Sequence, residues 1–396
     1  MIFRLSALVL FLGFFIAQGA SAVNRHQLWV GTGEYDPAAG WDAILYYENA
    51  ETVNGNLSPD VTVDFGAASG NFPHMIAYRS ATDELYVTSL FTDEILVFSN
   101  AQHLTPGVTP SRRISGGMTS LYEPHGLWID ETNDTLYVAS RFDALGNLPG
   151  NVLAWQGAST VTGNVAPTRI IGGPATGLAQ PFNVYIDEPH DRLYVASANH
   201  GTAGPDPAIV IFDNVSSKSG NVPFDRKLAG SLTTFSSHLT VHNVLLDPIR
   251  DEFYVAHHQS DILVFSPAST ITGNQAPSRT LSGFGSALGL FYLPSEDILY
   301  VSDADESCGG GTAPCPHAPP QAIKVFYNAS TLNGSVGGSP DRVIYWEPEA
   351  ITYFPPQPLW VHSTAVVPAL DSRSLGLLAF LVAGLSFLAL RWNRAQ

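Results

Sequence analysis

The chain has 396 residues, a formal charge of −17, and 45% hydrophobic against 13% charged residues. So acidic a surface argues against nucleic acid and anionic lipid headgroups as partners. No run of like charge is long enough to form a disordered tail.

The first predicted element is a secretory signal peptide over residues 1–22. Arg4 supplies the positive start, and residues 5–16 are apolar but too short and too early for an anchor. Ala20-Ser21-Ala22 has the small-x-small form that a signal peptidase accommodates. An uncleaved N-terminal anchor is the alternative.

Residues 23–366 then repeat one phrase. It begins as Leu28-Trp29-Val30 and returns as Leu85-Tyr86-Val87, Leu136-Tyr137-Val138, Leu193-Tyr194-Val195, Phe253-Tyr254-Val255 and Leu299-Tyr300-Val301. A period of this length is the mark of a propeller. Call this strand B. A strand A precedes it at residues 75–78, 126–129, 183–186, 243–246 and 289–292. A strand C follows at 44–47, 95–98, 152–155, 209–212, 262–265 and 323–326, and a strand D comes after a Gly/Asn/Pro-rich loop. Four short strands per repeat without helical periodicity predict an all-β, six-bladed β-propeller. Strand A is missing from the first repeat, and Leu359-Trp360-Val361 supplies it from the other end of the domain. That pairing would close the ring without leaving open sheet edges.

The run Pro124-His125-Gly126-Leu127-Trp128-Ile129-Asp130, followed by Asp134 and Leu136-Tyr137-Val138-Ala139-Ser140, resembles the NHL-type and TolB/YVTN-type propeller repeats. The resemblance implies the fold and leaves the function open, since such propellers include enzymes, ligand binders and scaffolds.

Antiparallel order brings the start of strand A, the end of strand B and the B–C loops to one face, here the A-start face. Just before strand A the blades carry Gln357, His74, His125, Phe182, His242 and Leu288. At the end of strand B they carry Thr32, Ser89, Ser140, Ser197, His257 and Asp303, with His258, His200, Asp143 and Asp305 in the adjoining loops. His74, His125, His242, His257 and Asp303 are therefore the candidate ligand-binding residues. His74, His125 and His242 are the candidate ligands of a divalent cation such as zinc. Propeller enzymes of the amidating-lyase kind hold a metal by histidines from several blades, a likeness at the level of the fold. The alternative is that each histidine caps a strand or bonds a neighbouring blade. Arg112, Arg169, Arg226, Arg279 and Arg342 recur where strand D begins and are expected on the outer rim, paired with loop carboxylates. Asp83, Asp134, Asp191, Asp251 and Asp297 recur in the A–B turns and suit turn hydrogen bonding.

Cys308 and Cys315 stand close together in an exported segment. A local disulfide is the first reading, and a metal site lacks its second pair of ligands. Residues 367–396 close the chain with Val367-Pro368-Ala369-Leu370, an uncharged apolar run over about 375–390, and Arg391, Trp392, Asn393 and Arg394. The run is long enough for a thin membrane, with the arginines on the cytoplasmic side. The order of motif, helix and basic tail resembles bacterial sorting signals of the IPTL-CTERM and PEP-CTERM kind. Arg373-Ser374 stands where that family has Trp-Gly, and a plain membrane anchor is the alternative.

Together these features predict an exported or membrane-anchored binding module at the bacterial cell envelope, taking a protein or small ligand on the A-start face. A metal-dependent hydrolase or lyase working in the channel and a structural envelope protein are the rival readings.

Overall fold

The computed structural model describes residues 24–32, 42–65, 72–199, 206–235, 241–257, 261–304, 321–345 and 359–365. The expected signal peptide, the Cys308–Cys315 loop and the apolar segment at 375–390 lie outside the described residues, as do Gln357, His200, His258 and Asp305. Among the described residues no helix is long and apolar enough to cross a membrane. The chain divides into two units, residues 1–25 with 363–396, and residues 26–362. In the first, the described residues 24–25 and 363–365 are extended.

The second unit is a six-bladed β-propeller. Its strands pair into six sheets in the order A, B, C, D, and in blades 5 and 6 a two-residue strand of the next blade, Gly334–Ser335 and Gly55–Asn56, adds in parallel beside strand D. Blade 1 takes strand A from Leu359–Ala365 and strands B to D from Asn24–Thr32, Ala43–Tyr47 and Val61–Asp64, so the end of the domain closes the beginning. Blades 2 to 6 have their inner strands at Pro73–Arg79, Pro124–Asp130, Gln180–Asp187, Val241–Asp247 and Ala287–Leu293.

The recurring Leu-Tyr-Val phrase explains the core. Alternation along a strand sends Leu85 and Val87 towards blade 1 and Tyr86 towards blade 3. The buried apolar side chains accordingly fall into six clusters, one at each junction between neighbouring blades. Burial of each large aliphatic side chain contributes roughly 1.5–3 kcal/mol, and no blade can supply both sides of a junction alone.

The recurrent arginines do something other than expected. They are not outer-rim partners of loop carboxylates alone. Each crosses a junction and grips the short turn that follows strand C of the next blade. Arg112 donates to the Ala158 and Val161 carbonyls, Arg226 to those of Ala268 and Ile271, and Arg279 to those of Ala329 and Leu332. Arg169 reaches the Val215 carbonyl, and Arg342 reaches those of Ala50 and Val53 across the closing junction. In four of these blades the phrase tyrosine accepts from the same guanidinium, through Tyr86, Tyr137, Tyr254 and Tyr300. The A–B turn aspartates, all at positive φ, hold the same turns from within their own blade: Asp134 accepts from Ser159, Asp191 from Ser216, Asp251 from Ser269 and Asp297 from Ser330.

Blade 1 departs from this plan in two residues that compensate each other. Val61 stands where the arginine would be, and Trp29 where the tyrosine would be. The indole Nε1 of Trp29 donates to the Ala101 carbonyl at 3.1 Å, the group that corresponds to Ala158 in the next blade. A larger side chain thus reaches the turn directly.

The middle of the ring is closed by side chains. Trp360 in blade 1 and Trp128 in blade 3 lie 5.0 Å apart, although their blades are not neighbours. Tyr185 lies against Trp128 at 4.2 Å and Phe291 against Trp360 at 4.8 Å. These residues sit three positions after Gln357, His125, Phe182 and Leu288, so the closure lies below the A-start mouth.

Candidate functional site

The residues expected at the mouth owe their orientation to an irregularity that repeats around the ring. Where strand A begins, its pairing with strand B slips by one residue in blades 2 to 6. The slip falls between Pro73 and Met75, Pro181 and Asn183, Val241 and Asn243, and Ala287 and Gly289, and beside His125 and Gly126 in blade 3. His74, Phe182, His242 and Leu288 are the extra residues. A β-bulge re-aims a side chain out of the alternation of its strand. In blade 3 the neighbouring glycine completes the effect. A Cβ on Gly126 would stand 2.5 Å from the Asn183 Cα, so only glycine lets these inner strands approach and brings His125 against Phe182.

The outcome is a row of rings spanning four blades. His74 and His125 are 4.2 Å apart, His125 and Phe182 4.4 Å, and Phe182 and His242 4.9 Å. His74, His125 and Phe182 are buried and His242 is half-buried. Burial, aided by the nearby Arg141 guanidinium, pushes His74 down to about 3. Burial and the His74 ring hold His125 well below the usual imidazole range. An imidazole held near 3 does not exchange protons near neutrality, so His74 suits hydrogen bonding better than proton transfer. Its Nδ1 has no hydrogen-bond partner among the described residues, and neither do Thr32 Oγ1, Asn243 Oδ1 and Ser286 Oγ. All four are buried near the A-start ends of blades 1, 2, 5 and 6. Buried polar atoms in this state mark places for ordered water or for the polar atoms of a ligand.

Of the five residues singled out from the sequence, His74, His125 and His242 belong to the row of rings, and His257 and Asp303 stand at the ends of strand B. His74 and His125 touch, but the Phe182 ring separates them from His242, so the three imidazoles are not placed to share one ion. Among the described residues no group of three His, Cys, Asp or Glu side chains could hold a metal. His257 is buried at the end of strand B beside Phe235, with ring centroids 6.3 Å apart. Asp303 is engaged in the fold: its Oδ1 accepts from the Gly285 and Ser286 amides, both at 2.9 Å, and its Oδ2 pairs with Lys324. Ser140 and Ser197 do the same work, accepting from the Tyr122 and Ala179 amides at 3.0 and 2.9 Å. The departure of Asp303 from the repeat therefore preserves a structural contact.

Other residues make up the accessible part of the mouth. Arg141 directly follows Ser140. It donates to Glu123 at 2.9 Å and lies over the Phe142 and Phe182 rings at 5.1 and 5.5 Å. Glu123 has φ 46° and Phe72 has φ 27°, both directly before a proline, a conformation that costs roughly 1–3 kcal/mol. Carboxylates of the preceding blade hold them: Asp93 accepts from the Glu123 amide at 2.7 Å and Asp42 from the Phe72 amide at 3.2 Å. Burial raises the Asp93 carboxyl. The sequence signal for Arg141 was its place after the strand B serine, a position whose meaning depends on the adjacent blade.

The comparisons with known proteins bear on the fold. No family model matches the chain. No curated protein matches it either. Among solved structures, a chain in the crystal structure of a nidogen/laminin complex is 14% identical, with a TM-score of 0.51, covering 88% of this chain and 100% of that one. A putative 6-phosphogluconolactonase from Bacteroides uniformis is also 14% identical, with a TM-score of 0.48, covering 85% and 84%. At such identity, the likeness to the nidogen/laminin chain speaks for the propeller alone.

Proposed function

We propose that this chain is an exported or membrane-anchored binding propeller of the bacterial cell envelope, akin to the NHL and TolB/YVTN kinds, engaging a protein or small ligand through its A-start face. The observation that carries this reading is the row His74, His125, Phe182 and His242 with Arg141 above it. Imidazoles, aromatic faces and buried polar atoms line this end of the blades beneath the accessible Arg141, a setting fit for recognition. The nidogen/laminin structure offers a precedent for a propeller of this architecture in a protein complex. Export rests on residues 1–22, and retention or sorting on residues 367–396. The cation reading would need ligands beyond His74, His125 and His242, which do not fit one ion.

A photoreactive side chain at position 122 on the A-start face is compared with one at position 249, an exposed A–B turn position on the opposite face. Irradiation of intact cells should give adducts from position 122 and few from position 249. Equal adducts from both, or none from either, would remove the reading. Fractionation of cells making the full chain or a chain ending at Val366 tests the tail: the full chain should remain with membranes and the shorter one should be soluble.

A further inference from the structure

Three loops on the A-start side of blades 2 and 3 present large apolar side chains to solvent. Phe91 lies in the B–C turn of blade 2, Met118 and Tyr122 in the connection into blade 3, and Leu145 and Leu148 in the B–C loop of blade 3. Leu145 is 83% exposed and Met118 58%. Disorder of the loop is not the reason for this exposure. Asp143 Oδ1 accepts from the Leu145 and Asn147 amides at 2.9 and 2.8 Å, and the Gly146 amide donates to the Asp143 carbonyl at 2.9 Å. The loop also rests on Tyr122, whose ring a Cβ on Gly146 would meet at 2.9 Å. An ordered loop thus holds a leucine out into water.

These side chains are continuous with the mouth. Tyr122 meets Phe142 at 5.6 Å, and Arg141 spans Phe142 and Phe182. On the other side Phe91 meets Phe72 at 5.3 Å, and Phe72 meets His74 at 6.1 Å. Aromatic residues, Met and Arg around an apolar centre are the composition of a protein-binding hot spot. The charge of the same loops selects the partner. Residues 90–93, 116–123 and 141–150 carry Asp93, Glu123 and Asp143 against Arg141, which Glu123 already matches. The chain as a whole carries −17.

We infer that the surface formed by Phe91, Met118, Tyr122, Arg141, Leu145 and Leu148 docks a protein segment with apolar or aromatic side chains flanked by Lys or Arg. This deepens the binding reading given above and rests on it. The apolar side chains of the segment would cover Leu145 and Tyr122, and its basic flanks would face the acidic rim.

The test selects a random displayed peptide library on the intact immobilised protein. Enriched peptides should combine branched or aromatic apolar residues with Lys or Arg. Their affinity should fall by about tenfold or more in Leu145→Asp and in Tyr122→Ala, and hold in the opposite-face control Ile249→Asp. Enriched acidic peptides, or binding unchanged in Leu145→Asp, overturn the inference. So does concentration-dependent self-association lost in Leu145→Asp, which would make a second copy the occupant. Peptides lost in His242→Ala yet retained in Leu145→Asp would leave the A-start reading standing and sink this surface. Peptides lost only in Ile249→Asp would sink both.

Discussion

On the face opposite the A-start face, where strand A ends and the A–B turns lie, the blades are nearly interchangeable. An aspartate at positive φ pins the turn after strand C of its own blade, and an arginine, or in one case Trp29, grips the same turn of the next. On the A-start face the corresponding positions hold His74, His125, Phe182, His242 and Leu288, and among the described residues the row of rings runs across four blades, each ring contact between a different pair of side chains. The difference teaches where each kind of information lies. A contact required at every junction recurs in the sequence. A contact made once, between two particular blades, leaves no period to find.

Substitutions should separate the two faces by their effect on stability. The largest loss is expected at Arg342, the latch of the closing junction. Arg342→Ala removes the guanidinium that donates to the Ala50 and Val53 carbonyls, leaving Ala50 only its bond from the Val53 amide, and should cost about 3 kcal/mol in urea unfolding. A loss below about 1 kcal/mol would show that strand A of blade 1 closes the ring without help.

The exceptional junction gives a sharper test. Trp29→Tyr should cost about 2 kcal/mol, because the indole is buried and stacks on Tyr78 at 4.8 Å. Adding Val61→Arg recreates the pair found in blades 2 to 6 and should recover part of that loss. A double variant no more stable than Trp29→Tyr would mean that the pair does not transfer between blades.

Acid should reveal the mouth. The folded His74 binds its proton only near 3, whereas in the unfolded chain it does so near 6.5. Its contribution is therefore complete above about 6.5 and lost as pH falls towards about 3, at a limiting slope of about 1.4 kcal/mol per pH unit. His125 titrates in the same direction, and Arg141 opposes a charge on either ring. His74→Phe should flatten the decline of melting temperature between pH 6 and pH 4; an unchanged slope would contradict a neutral buried imidazole.

The smallest effect belongs to Asp303→Ser. A serine there can hold the loop amide as Ser140 and Ser197 do, so the cost should stay below about 1 kcal/mol with binding on the A-start face unaltered. Loss of binding with stability intact would return Asp303 to the recognition surface.

The propeller was legible because its constraint is periodic. Leu-Tyr-Val recurs, and strands B, C and D outnumber strand A by one, which pointed to Leu359-Trp360-Val361. The mouth was legible only in part. His74, His125 and His242 were found from their position, but the bulges that turn them and the Phe182 ring that separates them depend on neighbouring backbones. The arginines were seen to recur without their purpose, since their acceptors are main-chain carbonyls some 42 to 53 residues ahead in blades 2 to 5. Carbonyls have no sequence signature. Asp303 was misleading because a carboxylate and a hydroxyl can accept the same amide hydrogen.

The neighbouring, mutually tilted indoles of Trp128 and Trp360 give the molecule an optical signature. One comes from the third blade and the other from the final strand, so they meet only when the two ends of the domain have joined. Two indoles 5.0 Å apart and inclined by 50° couple their electronic transitions, which produces a paired band of opposite signs in circular dichroism. That band would disappear in Trp360→Phe and in any chain whose last strand had come away. Ring closure can therefore be followed in real time, without a label and apart from the loss of β-structure.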